Sequence, residues 1–355
     1  MNSIKKLKNV YKEAYTLGHF PSLSKIIFTK HKILAYYGFL GDENFGDELV
    51  YEATKKLFYP NILLPVKSRM PLLLKLYSTL YKSKISGVVI GGGTLIGPIF
   101  LKGDYFTSII KEGKPLYVHG TGVHKKEYFN SFWNEIFSGP FFGGVRGPLS
   151  VKNITSINVK ANIIGDAAFQ LFEKYDWAQK GANGKSILIN LGTHANYKDL
   201  IISRKALKSF IKHMISEGYT IQFLPFHSID LDLGLELTSD FPEIIILEIP
   251  NKYSEAVQHF LSSSFAIGER LHFNVMAALT KCPFMSINYT AKHEDFLLSI
   301  DLKDCGISPS EASVSLFKDA FHNRQLLDWK TIENKILSMK SRQLDEMAGF
   351  KNKMA

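Results

Sequence analysis

Apolar residues recur along this chain in short unbroken runs, each closed by glycine or a polar residue. In the first half the runs are Ile33 to Gly38, Gly87 to Ile90, Pro115 to His119, Phe141 to Val145 and Asn162 to Gly165. An alternating run covers one face of a sheet, whereas an unbroken run predicts a strand buried on both faces, as in a parallel sheet. Tyr175 to Lys185, with Gly181, Asn183 and Gly184, interrupts the pattern as a linker does. It then resumes with Ser186 to Gly192, Thr220 to Pro225, Glu243 to Ile249, Phe265 to Ile267 and Pro283 to Tyr289. Helical periodicity lies between the runs. One helix carries Leu49, Ala53, Leu57 and Phe58, with Asp47 as its expected N-cap. Others run from about Ser203 to Glu217, from Ser254 to Leu261 and from Phe273 to Leu279, the first of them stopped by Gly218.

Strands alternating with helices in this way predict an α/β protein with two doubly wound parallel sheets. The expected organisation is a basic helical segment over 1–31, a first domain over 32–180, a second over 185–308, and helices over 309–355 that can cross back over the first domain. A chain of 355 residues is long enough for two such cores.

Composition adds little to the fold but narrows the partners. Hydrophobic residues make up 45% and charged residues 21%, as in a soluble globular protein. Lys and Arg number 43 against 33 for Asp and Glu, a net charge of +10, which favours an anionic partner. The basic residues are scattered and match no nucleic-acid motif, so nucleic acid is not expected. Cys282 and Cys305 form neither a disulfide framework nor a metal-ligand spacing, which fits a reducing compartment. No run is long enough to span a bilayer and no signal peptide is evident, so a cytoplasmic protein is expected. Two basic amphipathic stretches, the first 30 residues and Met70 to Lys84, are compatible with peripheral contact at the inner face of the cell membrane. Packing of each apolar stripe onto its own domain is the favoured reading, because amphipathicity is what any surface helix shows.

The chemistry-bearing residues gather at strand ends. Between Ser262 and Lys292 a strand, a short helix and a second strand make a βαβ unit, whose loops leave the sheet at one edge. That edge is where doubly wound sheets bind ligands, and it can gather Arg270, His272 and Lys292. A guanidinium, an imidazole and an ammonium suit a phosphate or carboxylate, with the histidine able to move a proton. The alternatives are a structural histidine and an Arg270 paired with Glu269. In the first half, Gly41 to Glu48 forms a glycine-rich strand-to-helix loop carrying Asn44 and Asp47, without the spacing of a nucleotide fingerprint. Gly91, Gly92 and Gly93 at a strand end suggest close approach of a ligand, with tight packing of the loop against other parts of the chain as the alternative. His119, His124 and His227 also stand at strand ends, and Asp166 and Asp230 can orient a hydroxyl or a histidine, or cap a helix.

Taken in order, Gly41 to Glu48, Gly91-Gly92-Gly93, Val145-Arg146 with Ser150, Gly165-Asp166, Pro225-Phe226-His227 with Asp230, Arg270-Leu271-His272, and Tyr289 with Lys292 resemble the polysaccharide pyruvyl transferase family. The resemblance covers roughly Lys32 to Ile300. It implies two Rossmann-like domains facing a cleft, as in GT-B glycosyltransferases. The implied reaction moves the pyruvyl group of phosphoenolpyruvate onto a sugar of a surface polysaccharide or its precursor, closing a ketal and releasing phosphate, with no cofactor or metal. His272 and Arg270 become the expected catalytic residues. Arg146, Arg270, Lys292, Gly92 and Gly93 become the expected phosphoenolpyruvate contacts. Asn44, Asp47, His119, His227, Asp230 and Tyr289 are candidates for a nucleotide-linked or lipid-linked sugar acceptor. Where the family commonly has an acidic residue after the first arginine, this chain has Gly147 and then Pro148.

A nucleotide-sugar glycosyltransferase of the same architecture is the alternative, and Glu294 and Asp295 are then the candidate ribose partners. An inactive sugar-binding member is a third reading, against which Arg270, His272 and Lys292 stand intact.

Overall fold

The run Ile33–Tyr37 becomes β1, all five residues buried, as its unbroken apolar character requires. In this computed structural model the described residues are 26, 28–40, 43–66, 82–97, 109–129, 131–174, 184–192 and 198–354. The linker at 175–185 and the amphipathic stretches at 1–30 and 70–84 fall largely outside them. The chain divides into two compact units. One is Met1–Asp42 with Val50–Leu171 and Leu337–Ala355, and the other is Glu43–Leu49 with Phe172–Ile336.

In the first unit β1 is joined by β2 (Ile62–Val66), β3 (Ile85–Ile90), β4 (Thr94–Ile96), β5 (Leu116–Val123), β6 (Phe141–Val145) and β7 (Asn162–Ile163). The order is β2-β1-β3-β5-β6-β7, every ladder is parallel, and β4 pairs with the end of β5. The third expected strand stops at His119, yet β5 continues to Val123. The added length is held by β4, which pairs Thr94 with Gly122, and by the Gly122 N–H donating to Gly93 O at 2.7 Å. Helices α1 (Phe45–Phe58), α2 (Ser131–Ile136) and α3 (Pro148–Thr155) follow β1, β5 and β6. The side chain of Asn44, not Asp47, caps α1, accepting from Gly46 N–H at 3.1 Å. Asp47 sits in the first turn and accepts from Asn44 Nδ2 at 2.7 Å, where its charge favours the helix dipole.

The second unit carries β8 (Ser186–Asn190), β9 (Thr220–Phe223), β10 (Ile245–Ile246), β11 (Phe265–Gly268), β12 (Phe284–Ile287) and β13 (Gly306–Ile307) in the order β10-β9-β8-β11-β12-β13, again all parallel. Between them run α4 (Asp199–Ser216), α5 (Leu231–Asp240), α6 (Tyr253–Leu261), α7 (Leu271–Thr280) and α8 (Ala291–Ser299), and α9 (Val314–His322) follows β13. The strand expected over Glu243 to Ile249 shrinks to two residues, because β10 is an edge strand with β9 as its one partner. Both sheets are doubly wound, as the strand pattern requires. All ten residues of α7 are buried, so it is a core helix rather than a surface one.

The last helix, α10 (Trp329–Met354), places Ile332, Ile336, Met339, Gln343 and Phe350 on one buried stripe. Phe350 meets Phe58, Tyr117 and Phe142 edge-on, with centroids 5.6 to 5.9 Å apart. Full burial of one such ring contributes about 1.5–3 kcal/mol, so this contact fixes the end of α10 to the first sheet.

Candidate active site

In the second unit the strand order reverses at β8, with β9 on one side and β11 on the other. Ligands of doubly wound sheets lie outside the carboxyl ends at such a switch point. There β8 delivers Asn190 and Gly192, and β11 delivers Glu269 and Arg270. Asn190 ties the strand ends together: its Oδ1 accepts from Arg270 N–H at 3.1 Å and its Nδ2 donates to Leu224 O at 2.9 Å.

Arg270 does not pair with Glu269. Its Nε and Nη2 both donate to Asp230, whose carboxylate also accepts Phe226 N–H at 3.2 Å. Nη1 carries no bond among the described residues, so one edge of the guanidinium is anchored and the other is available to an anion. Burial disfavours the charge on Arg270, but the hydrogen bonds and charge of Asp230 more than offset it and hold its pKa above the usual arginine value. Glu269 faces the other way, as successive residues of an extended segment do. It accepts from Arg204 Nε and Nη2 at 3.0 and 2.8 Å and from Gly192 N–H at 2.8 Å. Burial pushes its carboxyl above the usual range, and Arg204 pulls it part of the way back.

His272 is the second residue of α7 and is 8% exposed. Its seat is Gly46, from the segment Glu43–Leu49 of the same unit. A Cβ on Gly46 would stand 2.3 Å from His272 Nδ1 and 2.8 Å from its Cβ and Cγ, so only glycine lets the ring approach this closely. The segment is fixed by an antiparallel bridge between Asn44 and His227 and by Phe45 N–H donating to Phe226 O at 2.8 Å. The Phe45 ring meets Phe226 edge-on at 5.0 Å, and Phe226 meets Phe273, the neighbour of His272, at 5.5 Å.

Lys292 lies in the first turn of α8, its ammonium 5.5 Å from the centroid of Tyr289. Tyr289 and Asp47 both act electrostatically on Arg270. The second unit thus brings Asn44, Asp47, His227, Asp230, Arg270, His272, Tyr289 and Lys292 into one region. Within it, Asp230 is fully buried as the clamp of Arg270, and His227 Nδ1 accepts Ile229 N–H at 3.1 Å as a cap. Buried His293 donates from Nε2 to Glu269 O at 2.9 Å and steadies the strand end.

The first unit holds Arg146, Gly92, Gly93 and His119. Arg146 is fully buried; its Nε donates to Asp166 at 3.2 Å and its Nη2 to Gly93 O. Asp166 is thus the carboxylate partner of Arg146, while Gly147 and Pro148 start α3 as N-cap and first residue. Arg146 Nη1 is buried without a partner among the described residues, as is Thr94 Oγ1. Both flank Gly122, whose missing Cβ would stand 3.0 Å from Nη1 and 2.8 Å from Oγ1. Unpartnered buried donors around a glycine suit an anion or a ligand hydroxyl.

His119 is placed in the core rather than at an acceptor. It is fully buried, its ring nitrogens meet Thr54 Oγ1 at 2.9 Å and Gln343 Oε1 at 3.2 Å, and burial lowers its pKa to about 4. Gln343 in turn donates to Ile164 O at 2.8 Å and Asp166 O at 3.0 Å. Sequence reasoning missed Gln343, Arg204 and Thr94, and it marked the loop that holds Gly46 without the contact to His272. For Gln343 a signal existed, a glutamine in register with the apolar stripe of α10.

A scan against protein families matches the model described as polysaccharide pyruvyl transferase over residues 44–290. No protein of curated function matches. Among solved structures, UDP-GlcNAc 2-epimerase from Methanocaldococcus jannaschii, in complex with UDP-GlcNAc and UDP, is 11% identical, with TM-score 0.53 over 84% of this chain and 94% of that one. The UDP-GlcNAc 2-epimerase from Neisseria meningitidis bound to UDP-GlcNAc is 10% identical, with TM-score 0.52 over 86% and 94%. At such identity the likeness is one of fold, the two-unit GT-B-like architecture. The family match takes in strands of both sheets and contains Arg146, Arg270, His272 and Tyr289: this chain belongs to the polysaccharide pyruvyl transferase family.

Proposed function

We propose that this protein transfers the pyruvyl group of phosphoenolpyruvate to a sugar of a surface polysaccharide or its precursor, closing a ketal and releasing phosphate. The observation that carries this reading is Arg270 at the switch point, anchored by Asp230 through one edge while its Nη1 remains open, with His272 two residues on. Phosphoenolpyruvate offers two anionic groups. Arg270 and Lys292 are the proposed contacts for them in the second unit. Arg146 with the Gly92-Gly93 backbone is a separate proposed anion point in the first.

His272 is the proposed acid. Protonation of the methylene carbon makes the adjacent carbon oxocarbenium-like, and a sugar hydroxyl adds to it, giving its proton to a base. Phosphate then leaves with the bridging oxygen, and a second hydroxyl closes the ketal as its own proton is lost. No cofactor is needed. The acceptor is a nucleotide-linked or lipid-linked sugar, and Asn44, Asp47, His227 and Tyr289 are the residues proposed to face it.

The test is acceptor-dependent phosphate release from phosphoenolpyruvate with a panel of such sugars, run beside His272→Ala. The expected product is heavier by a pyruvate ketal, and the substitution abolishes it. Binding of nucleotide diphosphates but not of phosphoenolpyruvate would instead favour a nucleotide-sugar glycosyltransferase.

A further inference from the structure

The strands of the first sheet are all parallel, so their amino ends lie along one edge, opposite the edge that carries Gly92, Gly93 and Arg146. A lysine stands within two residues before four of these strands: Lys32 before β1, Lys84 before β3, Lys114 before β5 and Lys160 before β7. From β1 to β7 the order runs through β3, β5 and β6, which at about 4.8 Å per step spreads these charges over roughly 19 Å. The end of α10 reaches the same edge, where Lys32 Nζ donates to Met354 O at 3.3 Å.

The acids here are already engaged. Glu112 pairs with Lys82 at 2.6 Å and Glu135 with Lys111 at 3.0 Å. Lys32, Lys114, Lys160 and Lys353 make no ion pair with a carboxylate among the described residues. Lys114 and Lys353 rim a groove of about 340 Å³ whose apolar lining includes Ile110, Pro115, Leu116, Ile136 and Pro140. The two most exposed aromatic side chains among the described residues also precede strands of this sheet: Phe28, 82% exposed, five residues before β1, and Tyr59, 78% exposed, three before β2.

We infer that the amino edge of the first sheet is a docking face for an anionic lipid bilayer. Lysines along one sheet edge meet the headgroup charge, exposed aromatics suit the interface, and the groove between Lys114 and Lys353 offers apolar lining below a cationic rim. Among the described residues no helix is long and apolar enough to cross a membrane, so the contact is peripheral. The inference is independent of the reaction, because none of these residues is among those proposed to touch substrate.

The test is flotation of the full chain with vesicles of phosphatidylcholine, with and without phosphatidylglycerol, at low and high salt. Binding is expected only to the anionic vesicles and is lost in salt. Each lysine near such a surface is worth about a fivefold change in partition, so Lys114→Gln with Lys353→Gln weakens binding roughly twenty-five-fold. A control pair on the exposed face of α4, Lys205→Gln with Lys212→Gln, leaves it unchanged. The inference is overturned if wild-type protein ignores anionic vesicles, if the control pair weakens binding as much, or if the chain binds duplex or single-stranded DNA and not the vesicles. Unchanged melting temperatures of the variants confirm that folding is not the cause.

Discussion

The seat of His272 on Gly46 yields the sharpest perturbation. Gly46 is the second residue of α1 and lies outside the left-handed region, so Gly46→Ala is conformationally tolerated, and helix propensity favours alanine by up to about 1 kcal/mol. The new Cβ, however, would stand 2.3 Å from His272 Nδ1, where ordinary contact begins at 3.4 Å. Relief requires a movement of about 1 Å. Because the overlap includes His272 Cβ at 2.8 Å, turning the ring does not clear it, and the two backbones must separate. Overpacking of this kind costs about 1–3 kcal/mol, partly offset by propensity, so the variant stays folded with a modestly lower melting temperature. With His272 as the proposed acid, its displacement by about 1 Å is expected to cost on the order of 100-fold in rate. The assay is acceptor-dependent phosphate release from phosphoenolpyruvate, read with a thermal melt. A folded variant with wild-type kcat would refute the positioning argument. A rate lost only in proportion to unfolded protein would refute it equally.

Two further predictions concern the buried network of the first unit. Gln343→Leu leaves Ile164 O and His119 Nε2 without the side chain that pairs them, while Asp166 O keeps Phe169 N–H and Gln170 Nε2 keeps Lys340 O. At about 1–3 kcal/mol for each of these two unsatisfied buried groups, and with partial relaxation, urea denaturation should show a loss of about 2–4 kcal/mol; a loss below about 1 kcal/mol contradicts the network. His119, lowered to about 4 against an ordinary 6.5, binds its proton in the unfolded chain first. Stability should therefore be flat above pH 6.5 and fall as pH drops towards 4, by about 3 kcal/mol at most from this group. His119→Gln should flatten that window, and an unchanged slope would assign the pH dependence elsewhere.

The placement of particular residues shows what was legible beforehand. Unbroken apolar runs gave β1, β3, β6 and β8 because a strand buried on both faces needs apolar side chains on both. β10 was overextended because the edge position that shortens it is a property of the sheet, not of the segment. The Arg270 and His272 positions were legible as a loop feeding a helix after a strand. Their partners were not. Glu269 was the local candidate for Arg270, yet Asp230, 40 residues away, holds it, because side chains of neighbouring extended residues diverge.

The sequence by itself determined the periodicities, and with them two doubly wound sheets, the strand ends that carry the cationic groups, and the family. Tertiary structure decided which groups became clamps, which remained open and which were core. It buried His119 under Gln343 and seated His272 on Gly46, 226 residues earlier in the chain. Local pattern is set by the geometry of one strand or one helix, within reach of a few residues. Pairing of buried polar groups is set by desolvation, which acts on whatever the fold brings within hydrogen-bond distance, at any separation in sequence.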